Sequence, residues 1–168
     1  MNIAWVILGF IGGNLLWWKM STNTPPQQIA SVDNCVLSNH TIPCVHYVKA
    51  YDGDTFTVSI DAFPADYKQW QVRVKGIDTA EIKGKTKCEK ALAEMAKETT
   101  EQLLSHAASI TLKNVSKDKY FRLLADVDID GTDLASELLQ NSLAVAYGGG
   151  TKEVFKCPAT LPKLIKIK

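Results

Sequence analysis

Three short segments of this 168-residue chain gather acids, arginines and an aromatic residue. The first is Asp52-Gly53-Asp54-Thr55. The second runs from Arg73 through Asp78 and Thr79 to Glu81. The third is Asp118-Lys119-Tyr120-Phe121-Arg122. The chain holds 17 lysines but only two arginines, and both arginines fall inside these segments. A guanidinium is a rigid planar fork that fits a phosphate through two parallel hydrogen bonds, which an ammonium cannot do.

These residue types suit the cleavage of a phosphodiester. The phosphate is anionic and repels a nucleophile, so a hard cation held by oxygen ligands can neutralise it. Donors must meet the charge that grows on the equatorial oxygens, and a base must activate water. Asp54, Asp78 and the carbonyl of Thr79 could supply hard oxygens, Arg73 and Arg122 the donors, and Glu81 the base. Each segment has a plainer reading when taken alone. Asp-Gly is first of all a turn, an outward arginine on a strand is usually a solvated charge, and a tyrosine before a strand usually packs. The conjunction is what points to chemistry.

The elements that must position these residues follow from periodicity. Val45–Ala50, Thr55–Ile60, Trp70–Ile77, Ile110–Val115 and Leu123–Ile129 read as strands. Phe56, Val58 and Ile60 share one face of the second. Trp70, Val72 and Val74 share one face of the third, with Arg73 on the other. Asp130-Gly131 is a strong turn signal. A helix fits Lys87 to about Ser105, with Thr86 and Glu89 forming a capping box. Its core face would carry Leu92, Met95, Ala96, Thr99 and Leu103. A second helix fits Leu134–Asn141. Five short strands with a helix after the third predict an OB-type barrel rather than a parallel α/β sheet.

Composition is that of an ordinary globular protein, with 46% hydrophobic and 22% charged residues. A net charge of +1 does not by itself announce a nucleic-acid binder. Residues 3–18 are almost wholly apolar, short for a bilayer span and about right for a signal-peptide core. Trp17, Trp18 and Lys19 resemble an interfacial anchor, so cleaved export and permanent tethering both stand. Residues 21–44 have a polar linker composition, residues 45–158 form the expected domain, and residues 159–168 form a basic tail. The four cysteines match no zinc signature and allow three disulfide connectivities. We favour Cys35–Cys44 as a local loop and Cys88–Cys157 as a tie from the main helix to the tail. Four unpaired thiols are the alternative.

Together, DGDT at 52–55, RVKGIDTAE at 73–81 and DKYFR at 118–122 resemble the staphylococcal nuclease (thermonuclease) family. The resemblance extends through the stretch at 123–147 and covers roughly residues 45–157. It implies an α+β fold, a five-stranded OB barrel with about three helices, here preceded by the N-terminal apolar helix. It also implies a calcium-dependent, sugar-non-specific hydrolysis of DNA and RNA to 3′-phosphate products with little base specificity. By that resemblance Asp54, Asp78 and Thr79 are calcium ligands and Asp52 is a nearby outer acid. Arg73 and Arg122 are the catalytic arginines, and Glu81 is the general base. Lys119 and Tyr120 lie beside a terminal phosphate, and Tyr147 falls near a base-stacking tyrosine. Two departures stand out. Ala80 replaces a frequent proline, and Phe121 replaces a usual glycine, which matters if that position needs φ > 0. Lys83, Lys85 and Lys87 form a basic stretch that could steer a phosphate backbone. Gly148-Gly149-Gly150 followed by Cys157 resembles bacterial members whose glycine-rich tail ends in a cysteine near the first helix. The expected protein is a monomeric nuclease of the bacterial periplasm, exterior or inner membrane. A non-catalytic nucleic-acid-binding barrel is the alternative.

Overall fold

The computed structural model describes residues 35–150 together with Phe155 and Cys157. The expectations for the apolar segment at 3–18, for the linker up to residue 34 and for the tail at 159–168 lie outside the described residues. The chain forms β1 (Val45–Ala50), β2 (Thr55–Ile60), β3 (Gln69–Val74), β4 (Ile77–Thr79), α1 (Lys87–His106), β5 (Ile110–Lys117), β6 (Leu123–Ile129), β7 (Thr132–Asp133), α2 (Leu134–Gln140) and β8 (Ala144–Ala146).

The main sheet has the order β1-β2-β3-β6-β5, with β7 paired to β6. Its pairs are antiparallel except β3 with β6, which run parallel. Ile42, just ahead of β1, exchanges two backbone hydrogen bonds of 2.9 Å with Leu112 of β5. This bridge draws the two ends of the sheet together and curls it as an OB barrel requires. Of the three helices expected, the described residues hold two α-helices and one 3-10 turn at Ala65–Tyr67.

Alternation explains the core. Phe56, Val58 and Ile60 of β2 point inward, as do Val72 and Val74 of β3, and all are almost fully buried. Ala125, Val127 and Ile129 of β6, the strand beside β3, join the same core. On α1 the buried face is Leu92, Ala93, Ala96, Thr99, Thr100 and Leu104. Met95 and Leu103 are only partly buried, so the core face is rotated slightly from the one expected. The capping box forms: Thr86 Oγ1 accepts from Glu89 N, and Glu89 Oε2 accepts from Thr86 N. Asp130 and Gly131 have φ of 52° and 87°, the positive pair that a two-residue hairpin needs.

Two expectations need correction. The strand expected over Trp70–Ile77 is broken. Gly76 has φ of +79°, which turns the chain out of the main sheet. Ile77–Thr79 then pairs antiparallel with Ala144–Ala146 in a separate two-stranded sheet. The linker also ends early. Residues 35–44 belong to the folded body, because Ile42 is buried against β5, Val115 N donates to His40 O, and Cys35 is bonded to Cys44. A second disulfide joins Cys88, in the first turn of α1, to Cys157. Near it Phe155 packs with Ile82 against Ala80, Leu92 and Ala93. Among the described residues no helix is long and apolar enough to cross a membrane.

The Cys88–Cys157 link closes a sequence separation of 69 residues. A crosslink over that distance restricts the unfolded chain strongly, so replacing both cysteines by serine should cost about 2–4 kcal/mol of stability. Urea unfolding under non-reducing conditions checks this; an unchanged midpoint and slope would contradict it.

Candidate functional site

The turn between β1 and β2 is shaped from three sides. Tyr51 N and Asp52 N both donate to Thr55 O, at 2.9 and 3.2 Å. Asp52 Oδ1 accepts from Asp54 N at 3.1 Å. Thr100 Oγ1, from α1, donates to Gly53 O at 2.7 Å. Gly53 is required here by close approach: a Cβ would lie 2.6 Å from Ala96 Cβ and 2.9 Å from Thr79 Cγ2. The turn is therefore clamped on the helix, and Asp54 is aimed at the end of β3.

There it meets Arg73. Arg73 Nη1 lies 2.9 Å from Asp54 Oδ2, and Nη2 donates to Asp78 Oδ1 at 2.9 Å. Nη1 also donates to Val74 O at 3.1 Å. Asp54 Oδ2 further accepts from Thr79 N and Thr79 Oγ1, and Asp54 Oδ1 accepts from Thr55 Oγ1. All three charged side chains of this group are buried. Charges withdrawn from water are tolerated only when paired and hydrogen-bonded, and here the guanidinium is shared between two carboxylates. Thr79, expected as a ligand through its carbonyl, is seen donating through its amide and hydroxyl to Asp54.

Asp52 sits beside this group. Burial pushes its carboxyl up to about 7, aided by the nearby charges of Asp54 and Glu81. The carboxylates of Asp54 and Asp78 and the Thr79 carbonyl are hard oxygen donors of the kind an oxygen-seeking cation takes. Among the described residues, no three or more His, Cys, Asp or Glu side chains converge to hold a metal alone. Two carboxylates with carbonyl and water oxygens are a sufficient set for calcium.

Arg122 is held differently. Asp118 Oδ2 accepts from Arg122 Nε at 2.8 Å and lies 2.7 Å from Nη2. Asp118 Oδ1 accepts from the amides of Tyr120 and Arg122. Burial alone would push the Asp118 carboxyl up, but these donors together hold it below the usual range. Nη1 of Arg122 reaches toward Thr55 Oγ1, 3.5 Å away. Asp118 is thus a positioning residue for the second arginine, a role that its sequence segment alone did not reveal. Phe121 has φ of +65°, so the position does take the left-handed conformation that glycine would favour.

A cleft of about 760 Å³ unites these parts. It is lined by Asp52, Asp54, Arg73, Glu81, Lys119, Tyr120, Arg122 and Tyr147. Asp78 and Thr79 are buried behind its wall, joined to it through Arg73 and Asp54. Tyr51 and Lys75 also line it and were not singled out from the sequence, and Asp118, named there only as part of its segment, lines it too. Tyr147 N donates to Gly76 O, and its hydroxyl donates to Gly150 O, so the glycine-rich segment forms one wall. The four cysteines are absent from the lining.

A curled OB-type barrel with acids and arginines around one cleft defines a protein of the nuclease or nucleic-acid-binding class. The family model described as staphylococcal nuclease homologue matches residues 71–162, more than half of the chain, and the chain belongs to that family. The match begins after the Asp52–Thr55 turn, which Arg73 nonetheless ties to the matched region. No individual curated protein matches the chain significantly.

Two outcomes follow from the buried charges. Arg73→Gln leaves Asp54 and Asp78 without their shared cation and should cost about 3 kcal/mol of stability at neutral pH without divalent ions. Thermal and urea unfolding measure this, and a loss near zero would contradict the pairing. Asp52 is protonated more readily when folded, so its contribution is full below its ordinary value of 3.8 and fades as pH rises toward about 7. In chelator, Asp52→Asn should match the parent near pH 4 and exceed it by on the order of 1–2 kcal/mol above neutrality. A stability difference independent of pH would contradict the assignment.

Proposed function

We propose that the chain is a calcium-dependent, sugar-non-specific endonuclease that hydrolyses DNA and RNA phosphodiesters to 3′-phosphate products, with little base-sequence specificity. The observation that carries this reading is the convergence of Arg73, Glu81 and Arg122 with Asp54 on one open cleft. Asp54, Asp78 and the Thr79 carbonyl would hold calcium, which when bound neutralises charge on the phosphate. Glu81, exposed at the cleft, takes the proton from water as it attacks phosphorus; the bond from phosphorus to the 5′ oxygen breaks, and that oxygen leaves as a hydroxyl after taking a proton from solvent. Arg122, fixed by Asp118, donates to the equatorial oxygens as their charge grows, and Arg73 adds its positive charge from below. Lys119, Tyr120 and Tyr147 line the path of the nucleotide. The cleft is open at the surface and recognises backbone before base, which fits both DNA and RNA.

The apolar segment at 3–18 and the two disulfides of the folded body support a location in, or exported across, a bacterial membrane.

The test is hydrolysis of plasmid and single-stranded DNA by the full chain with calcium. Glu81→Gln and Arg122→Ala should each lower kcat/KM by roughly 100- to 1,000-fold while leaving the fold intact by circular dichroism. Near-normal rates in both variants would refute the site, and an inert parent protein would refute the activity.

A further inference from the structure

We propose that Phe121 is a stacking platform for a nucleobase of a single strand, on the outer side of the turn that carries Arg122. This inference rests on the nuclease reading above and adds to it a base subsite outside the cleft.

Phe121 is 71% exposed, and its neighbour Tyr120 is 66% exposed. The ring of Phe121 therefore contributes little to the core. Its backbone, with φ of +65°, lies in the region where side chains other than glycine, asparagine and aspartate are disfavoured. Neither packing nor backbone geometry favours a phenylalanine here, and glycine would suit the fold better. Yet the turn that presents the ring is firmly built. Phe121 N donates to Asp118 O, and the Asp118 carboxylate accepts from the amides on both sides of Phe121, at Tyr120 and Arg122. The ring is thus set out toward solvent on a preorganised turn.

Cations accompany both rings. Lys117 Nζ lies 4.2 Å from the centroid of Phe121. Lys119 Nζ and Arg122 Cζ lie 5.1 and 5.3 Å from that of Tyr120. A single strand presents a π-face and an anionic phosphate in each repeat, so aromatic rings interleaved with cations complement it. A duplex hides its base faces in the stack and cannot use the ring this way. Tyr120 and Arg122, on either side of Phe121, line the cleft and Phe121 does not, so the ring offers its free face on the outer side of the same turn, to a nucleotide beyond the cleft.

The experiment measures anisotropy of labelled oligonucleotides with the full chain at low salt, in chelator to prevent hydrolysis. Phe121→Gly should raise Tm, by relieving the backbone, and weaken binding of single-stranded DNA about five-fold or more. Phe121→Tyr, which keeps a ring, should bind within about two-fold of the parent. A duplex, and a strand made of abasic residues, should bind the parent and Phe121→Gly alike. Unchanged single-strand binding by Phe121→Gly would overturn the proposal, as would an equal loss on the abasic strand. Hydrolysis with calcium, measured in parallel, separates the two readings. A parent that binds through the ring but does not cleave refutes the nuclease and supports the platform. A parent that cleaves while Phe121→Gly binds and cleaves equally well refutes the platform alone.

Discussion

One guanidinium, that of Arg73, lies between two buried carboxylates, and the site is assembled around it. Three charges taken out of water in one place must be satisfied by one another and by neighbouring donors. That constraint joins the turn before β2, the end of β3 and the short β4, which contribute Asp54, Arg73 and Asp78. The two glycines nearby serve the same geometry. Gly53 lets the turn lie against α1, and Gly76 bends the chain so that Asp78 and Thr79 come back beside Asp54. The backbone carries the link too, since Val74 N donates to Asp54 O at 2.8 Å.

The two arginines occupy contrasting settings. Arg73 has 9% of its side chain exposed and is committed to the acids below the cleft. Arg122 has 22% exposed and projects from a hairpin on which Tyr120 and Phe121 are exposed. The first arrangement suits a fixed source of positive charge and the second a donor that meets an arriving phosphate. Asp118 makes that donor precise in direction by engaging Nε and Nη2 while Nη1 points toward Thr55. Asp52, Asp54 and Glu81 line the same cleft as Arg73, Lys75, Lys119 and Arg122, so acids and cations face one another across it.

Much of this was legible in the sequence where the governing interaction is local. The alternation of Phe56, Val58 and Ile60 depends only on strand period. The Thr86–Glu89 capping box and the Asp130-Gly131 turn depend on a few adjacent residues. Non-local pairing was not legible. In the run from Trp70 to Ile77 the alternation of Trp70, Val72 and Val74 stops at Gly76 and leaves Ile77 out of phase, but nothing local names Ala146 as the partner that Ile77 takes up. Likewise the bridge from Ile42 to Leu112 draws residues 35–44 onto the barrel despite their polar, linker-like composition. At the site, the three segments could be named from residue types, but the burial of Asp78 and Thr79 behind the cleft and the part played by Asp118 depend on how strands distant in sequence meet.

We propose that Asp54, held with Asp78 by Arg73, anchors a cation on which phosphodiester cleavage depends. The most direct measurement is calcium titration by calorimetry on the full chain and on Asp54→Asn, with single-stranded DNA hydrolysis followed in the same samples. The account predicts a single calcium site in the parent, hydrolysis that rises with its occupancy, and loss of both in Asp54→Asn. Hydrolysis that persists in excess chelator, or calcium binding unchanged by the substitution, would contradict it.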